Sequence, residues 1–258
     1  MKKIALYLLA GTFLLGCGGD DSDSNSNYGS GLNVELLPGI YTGVTGESEY
    51  LEGLVDDNKR LWFVYSENED FLGFINSNEP VVPNNGNFMA LGKNYSFDSR
   101  DPRSITIDGD YRISKTLKGE ISEPSSDSSL DASKITYNLG YDENLSAIKL
   151  TLDRVNNKIY TGISHMTGDI NSSSTTIKFT TDGNFTIDDS GECVVDGKFT
   201  PSDSGRYFIS TVKFSGTLCT EAGENYSGVA ILEDGNELLF VGTEAMKDKG
   251  LAFVSLDD

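Results

Sequence analysis

The sequence of 258 residues carries 40 Asp and Glu against 20 Lys and Arg, a formal charge of −20. A chain this acidic has no electrostatic attraction for nucleic acid or anionic lipid; its charge suits solubility, a basic protein partner or divalent cations. Three cysteines and one histidine leave little material for metal or nucleophilic chemistry, and no cofactor is expected.

Met1-Lys2-Lys3 is a short basic start, followed by an apolar run from Ile4 to Leu15 broken only by Gly11 and Thr12. The run is shorter than the roughly 20 apolar residues that span a bilayer. A basic start before a short apolar core describes a secretory signal peptide, residues 1–16. A buried N-terminal helix is the alternative, but the polar tract that follows gives it nothing to pack on. Leu14-Leu15-Gly16-Cys17 resembles the lipobox of bacterial lipoproteins. That resemblance implies cleavage before Cys17, a diacylglycerol on its thiol and a further acyl chain on the freed amine. Two or three chains, palmitate among them, anchor stably where one does not. Residue 18 is Gly; an Asp there resembles the inner-membrane retention signal of enteric bacteria, so Gly18 points to the outer membrane, periplasmic or surface-exposed.

Residues 17–31 are the lipidated cysteine and a tether of Gly, Asp, Ser and Asn around a single Tyr28, too poor in apolar surface to offset the entropy of ordering. Asp23, Asn25 and Asn27 alternate as calcium ligands do, but an EF-hand needs Gly at its sixth position and Glu at its twelfth. Those positions hold Tyr28 and Val34.

From Leu32 onward short runs of Val, Ile, Thr, Tyr and Phe recur between Gly, Asn, Asp and Ser clusters, a strand pattern without any sustained 3.6-residue period. Lys178 to Thr181 and Asn184 to Ile187 flank Asp182-Gly183, a pair suited to the positive φ of a tight hairpin turn. Val229 to Leu232 and Glu237 to Phe240 flank a second turn, Glu233 to Asn236. Leu54-Val55 and Leu61 to Val64 flank a third, Asp56 to Arg60.

Two internal echoes stand out. Gly39 to Val44 (Gly-Ile-Tyr-Thr-Gly-Val) matches Lys158 to Ile163 (Lys-Ile-Tyr-Thr-Gly-Ile), and Gly53 to Tyr65 matches Gly228 to Gly242 at a different offset. They suggest two related modules, 32–153 and 154–258, or hairpins that converged. The second module divides into eight strands centred on Tyr160, Ile177, Phe185, Val195, Ile209, Val229, Leu239 and Phe253. Eight antiparallel strands close a small barrel, so the expected class is all-β, built of up-and-down barrel modules, with a β-sandwich as the alternative. The glycine of each Tyr-Thr-Gly opening fits a place where another backbone passes closely. Glu120 to Ser133 and Glu67 to Phe88 read as long connections.

Cys193 and Cys219 remain as an even pair for an exported chain, which implies a disulfide. Two thiols and one histidine make a poor metal site. His165 follows a strand and reads as an exposed turn residue, with no nucleophile motif near it. Ser146 to Lys149 and Ser210 to Lys213 have Ser-x-x-Lys spacing but lie at or in strand patterns, where a spacing of three sends the two side chains to opposite faces. Asp56-Asp57, Asp108-x-Asp110 and Asp188-Asp189 read as turn residues. Trp62 and Tyr65 read as barrel side chains rather than a carbohydrate platform. No catalytic residue is assigned.

The lipobox, the Gly-Asp-Ser tether and the glycine-rich strands together resemble the lipid-anchored β-barrel receptors of Gram-negative outer membranes, such as those that capture host iron proteins. That resemblance implies a membrane-anchored binding or structural module with a protein ligand; no family motif carries over a binding residue. An envelope hydrolase using acidic residues, or a lipocalin-like carrier of a small apolar ligand, are the rival readings. They predict, in turn, carboxylates converging in one pocket and an apolar cavity of several hundred Å³.

Overall fold

The computed structural model describes residues 35–68, 70–124, 133–168, 172–187, 193–217, 219–233 and 237–256. The signal peptide, Cys17, the tether, the segment 125–132 and Asp188-Asp189 lie outside them. The first eight strands are β1 (Gly39–Thr45), β2 (Tyr50–Val55), β3 (Leu61–Glu67), β4 (Asp70–Ser77), β5 (Asn87–Ser96), β6 (Arg103–Arg112), β7 (Thr116–Glu123) and β8 (Ser133–Tyr141). Each pairs antiparallel with its neighbours in sequence, and β8 returns to β1 to close a barrel. A short helix α1 (Glu143–Ala147) and a single 3-10 turn (Leu152–Arg154) lead to the second barrel. This comprises β9 (Ile159–Met166), β10 (Ser173–Phe179), β11 (Asn184–Ile187), β12 (Val194–Pro201), β13 (Phe208–Ser215), β14 (Asn225–Leu232), β15 (Leu238–Glu244) and β16 (Gly250–Ser255). It closes where β16 meets β9.

The architecture is therefore two up-and-down barrels, not a sandwich, and each of the eight strand centres read from the sequence falls in its own strand of β9–β16. The alternation behind that reading is plain in β13: Phe208, Ser210, Val212 and Phe214 are buried while Ile209, Thr211 and Lys213 are exposed. In the β10–β11 hairpin Phe179 faces Phe185. Between them Asp182 and Gly183 both hold positive φ, 60° and 73°, and Asn184 N–H donates to the Thr181 carbonyl.

The first echo marks the opening strand of each barrel. Gly43 lies opposite Leu139 of β8, and Gly162 opposite Ser255 of β16. A Cβ at Gly43 would stand 2.1 Å from the Asn138 carbonyl oxygen, and one at Gly162 2.0 Å from that of Val254. The glycines thus permit the close approach of the last strand to the first.

Both interiors are filled. Tyr41, Phe63, Ile107, Leu117 and Leu139 are among the buried residues of the first core. The second is more aromatic, with Phe179, Phe185, Phe199, Phe208 and Phe240. A third apolar cluster lies between the barrels and joins Ile40, Leu54, Trp62, Phe74 and Tyr95 to Val229, Ile231, Leu239, Val241 and Ala252. The second echo belongs to this junction. Its two hairpins are β2–β3 and β14–β15, the second and third strands of one barrel and the sixth and seventh of the other. Each is buried on its inner face by its own core and on its outer face by the other barrel. The same apolar pattern on both faces accounts for their likeness and for an offset that differs from the first echo's.

Two sequence expectations are corrected at this level. Glu67 to Phe88, read as one long connection, contains β4. Phe74 of β4 is buried in the junction and Ile75 in the first core, so burial on both faces removes the alternation that marks a strand. Asp108 and Asp110 sit in β6 rather than beside a turn.

Candidate functional site at the junction of the barrels

The openings on the molecule are unequal. At one end of the first barrel Leu51, Tyr65, Asn94 and Ile121 border a cavity of about 80 Å³, far below the several hundred Å³ of a small-molecule carrier. Tyr65 lies within this barrel and donates its hydroxyl to Asn94. A shallow open hollow of about 850 Å³ lies on the barrel's outer wall, where Asp108, Asp110, Lys118 and Glu120 meet. Hydrogen bonds from Lys134 and Ser122 hold the Glu120 carboxyl below the usual carboxylate range, which makes it a fixed anion and a poor general acid.

The junction is held by polar ties as well as apolar packing. Asp57 N–H donates to the Tyr207 hydroxyl at 2.9 Å, and Ser204 N–H to the Asp57 carboxylate at 2.9 Å. Arg206 donates from Nε to the Ser146 carbonyl at 3.0 Å and from a terminal nitrogen to that of Pro38. Lys93 pairs with Asp248 at 2.7 Å. Phe74 and Tyr95 stack at 4.5 Å. His165 belongs here too. It lies in β9, half-buried, with its ring stacked on Phe97 at 4.7 Å, and burial lowers its proton affinity. It is not the exposed turn residue expected from the sequence. Trp62 faces away from its own barrel into this junction and donates its indole N–H to Asp56.

The two Ser-x-x-Lys tetrads build no catalytic pair. Ser146 sits in α1, not in a strand pattern; its hydroxyl accepts from Ile40 N–H, while Lys149 reaches the Ser204 carbonyl. Ser210 points into the second barrel and Lys213 out of it, as strand geometry requires.

On one side of the junction Glu52 is 4% exposed and borders a void of about 20 Å³ between the barrels, with no room for a substrate. Burial, then the negative charges of Glu233 and Asp142, hold its carboxyl well above the usual carboxylate range, and Glu233 hydrogen-bonds to it. Tyr50 faces the same group. From the ordinary value of 4.5 upward, the unfolded chain releases this proton while the folded chain keeps it. The folded state then binds more protons, so stability falls with rising pH until folded Glu52 ionises. Glu52→Gln should match the wild type in urea unfolding at pH 4.5 and become progressively the more stable of the two towards pH 9. Parallel curves over that range would rule out a protonated Glu52 in the folded junction.

On another side the barrels leave a polar cleft of about 400 Å³. Its walls are the turn from Asp56 to Arg60, Trp62 and Asn76 from the first barrel, and Tyr207, Ser227, Thr243, Glu244 and Lys247 from the second. The two acids are engaged by their own turns. Asp56 accepts from Arg60 N–H and Trp62 Nε1; burial nonetheless raises its carboxyl. Glu244 accepts from Met246 N–H and Asp248 N–H. The two cations are not so engaged. Among the described residues no carboxylate lies within ion-pair distance of Arg60 or Lys247. Lys247 donates to the Asn78 carbonyl at 2.8 Å. Arg60 Nε and Asn76 Oδ1 are buried without a hydrogen-bond partner. Burial, then the charges of Arg60 and Lys93, lower the proton affinity of Lys247, with Glu79 opposing.

None of Arg60, Asn76 or Lys247 stood out in the sequence. Arg60 and Lys247 belong to separate turns and Asn76 to the unread β4. The one available signal was the second echo, since its hairpins build both walls of the cleft. The sulfurs of Cys193 and Cys219 are joined, with their Cα atoms 4.5 Å apart, at the foot of β12 and in the connection after β13.

No protein-family model matches the chain, and no curated protein matches it. Among solved structures, it is similar to a mutant of transferrin binding protein B, a vaccine antigen from Haemophilus parasuis, at 9% identity and a TM-score of 0.24, over 80% of this chain and 65% of that chain. The chain thus spans just under two-thirds of the length of that protein.

Proposed function

We propose that this chain is an exported lipoprotein, cleaved before Cys17, acylated on it and held at the outer membrane, where it acts as a binding module for a protein partner. The observation that carries the binding reading is that both barrels are filled with side chains, the first leaving a cavity of only about 80 Å³ at one end. A filled barrel has no room for the apolar ligand of a carrier, so recognition falls to outer surfaces and loops, where rigid β scaffolds commonly present contacts. The apolar junction and its polar ties fix the two barrels against each other, so a partner meets one preorganised surface and the ordering cost of binding is small. The tether, residues 18–31, gives this body reach from the membrane.

The anchor is tested by Cys17→Ser. Radiolabelled palmitate should enter the wild type and be lost entirely from the variant, which should accumulate with its leader attached. Equal labelling of the two proteins would overturn the lipoprotein reading.

A further inference from the structure

The cleft between the barrels holds a donor, Arg60 Nε, and an acceptor, Asn76 Oδ1, that the protein itself leaves without partners. Arg60 and Lys247 both line this one cleft, and neither forms an ion pair with a described carboxylate. Arg60 and Lys247 come from different barrels and are held there by the turns that carry them. The Asp56 to Arg60 turn is closed by Asp56 N–H to the Arg60 carbonyl. The turn around Lys247 is closed by Lys247 N–H to the Glu244 carbonyl, with Lys247 at a positive φ of 60°. The carboxylates of Asp56 and Glu244 accept from backbone and indole N–H groups and form no ion pair with these cations, although the Arg60 charge still acts on Asp56. Asn76 is 1% exposed. Its amide nitrogen donates to the Leu61 carbonyl, which fixes its orientation and leaves Oδ1 unpartnered.

A buried polar atom without a partner costs free energy, and such atoms in native proteins generally mark a missing water, ion or ligand. The two unpartnered atoms, with the ammonium of Lys247 beside them, specify the chemistry. Two cationic donors call for an oxyanion, and the planar guanidinium suits a carboxylate or phosphate in particular. The unpartnered acceptor calls for an O–H or N–H beside that acid group. The cleft's volume of about 400 Å³ lies within the ordinary range of small-molecule sites.

We propose that this cleft is a binding site for a small hydroxylated oxyanion, whose acid group is held by Arg60 and Lys247 and whose hydroxyl donates to Asn76 Oδ1. This site is independent of the protein-partner reading and stands or falls without it.

Isothermal titration of the intact soluble chain with L-malate, succinate and glycerol phosphate tests the proposal. L-malate or glycerol phosphate should bind saturably at one site; the stronger of the two tells a carboxylate ligand from a phosphate one. Succinate, which is malate without its hydroxyl, should bind more weakly than malate. Arg60→Gln and Lys247→Gln should each weaken binding about tenfold or more, the loss of one charge-assisted hydrogen bond. Lys118→Gln, on the far outer wall of the first barrel, should bind like the wild type. Unfolding curves of each variant separate lost binding from lost folding. The proposal is overturned if neither malate nor glycerol phosphate binds saturably at millimolar concentration. It also fails if succinate equals malate, or if Lys118→Gln weakens binding as much as the two cleft variants.

Discussion

Phe199→Ala is expected to destabilise the second barrel by about 3–5 kcal/mol. Phe199 is fully buried, and its ring lies 5.1 Å from those of Phe179 and Phe185, 5.6 Å from Phe208 and 6.0 Å from Phe240. These rings come from β10, β11, β13 and β15, so one side chain bridges strands on several sides of the barrel. Edge-to-face packing adds to the area each ring buries. The void left by truncation cannot easily close, because every surrounding strand is held in register by hydrogen bonds to both neighbours. The cost therefore belongs at the high end of large-to-small substitutions rather than near the transfer value of the ring alone. Urea unfolding followed by near-ultraviolet circular dichroism reads the change directly. A loss under about 1 kcal/mol would mean that the aromatic core is looser than these distances imply.

The second barrel was legible because β10 to β13 alternate and β14 to β16 stand out as apolar runs between turns. β13 and the β10–β11 hairpin carry one polar and one apolar face, and Asp182-Gly183 supplies a turn with both residues at positive φ. The first echo was legible for a steric reason: barrel closure brings β8 onto Gly43 and β16 onto Gly162 too closely for a side chain. The junction was not legible, since a strand buried on both faces loses its alternation. That single cause hid β4, and it turned β2–β3 and β14–β15 into an echo that resembled duplication. His165 and Trp62 were misplaced for the same reason, because surface that faces outward from one barrel is interior once the other packs on it. The candidate cleft shared this blind spot. Arg60 and Lys247 meet across a separation of nearly the whole body, and no local pattern in the sequence brings them together.

Removing the bridge with Cys193→Ser and Cys219→Ser is expected to cost roughly 3 kcal/mol, equivalent to about 6–12 °C in melting temperature for a chain of this size. The two cysteines are 26 residues apart, and closing that loop in the unfolded chain is what the bond supplies on the chain-entropy model. The folded structure explains why the loss should stop there. Val194 already faces Ser215 across the β12–β13 ladder, so the cysteines are brought near each other without the bond. Cys219 is packed in the aromatic core and a serine there loses some of that packing. The connection that follows keeps other ties: Gly223 N–H donates to the Phe214 carbonyl and Phe214 N–H to that of Glu224. Lys249 pairs with Glu224 at 2.6 Å and with Glu221 at 3.6 Å, and Glu224 also accepts from the Tyr226 hydroxyl. Such partly exposed ion pairs contribute little each, but they hold the segment in place while the core stays intact. The double variant should therefore melt cooperatively at a lower temperature with unchanged far-ultraviolet circular dichroism. Peptide mass spectrometry without reduction should find Cys193 and Cys219 linked in the wild type. Two free thiols in protein recovered from the envelope, or a melting temperature equal to that of the double variant, would remove the bridge from the account of how this end of the second barrel is held.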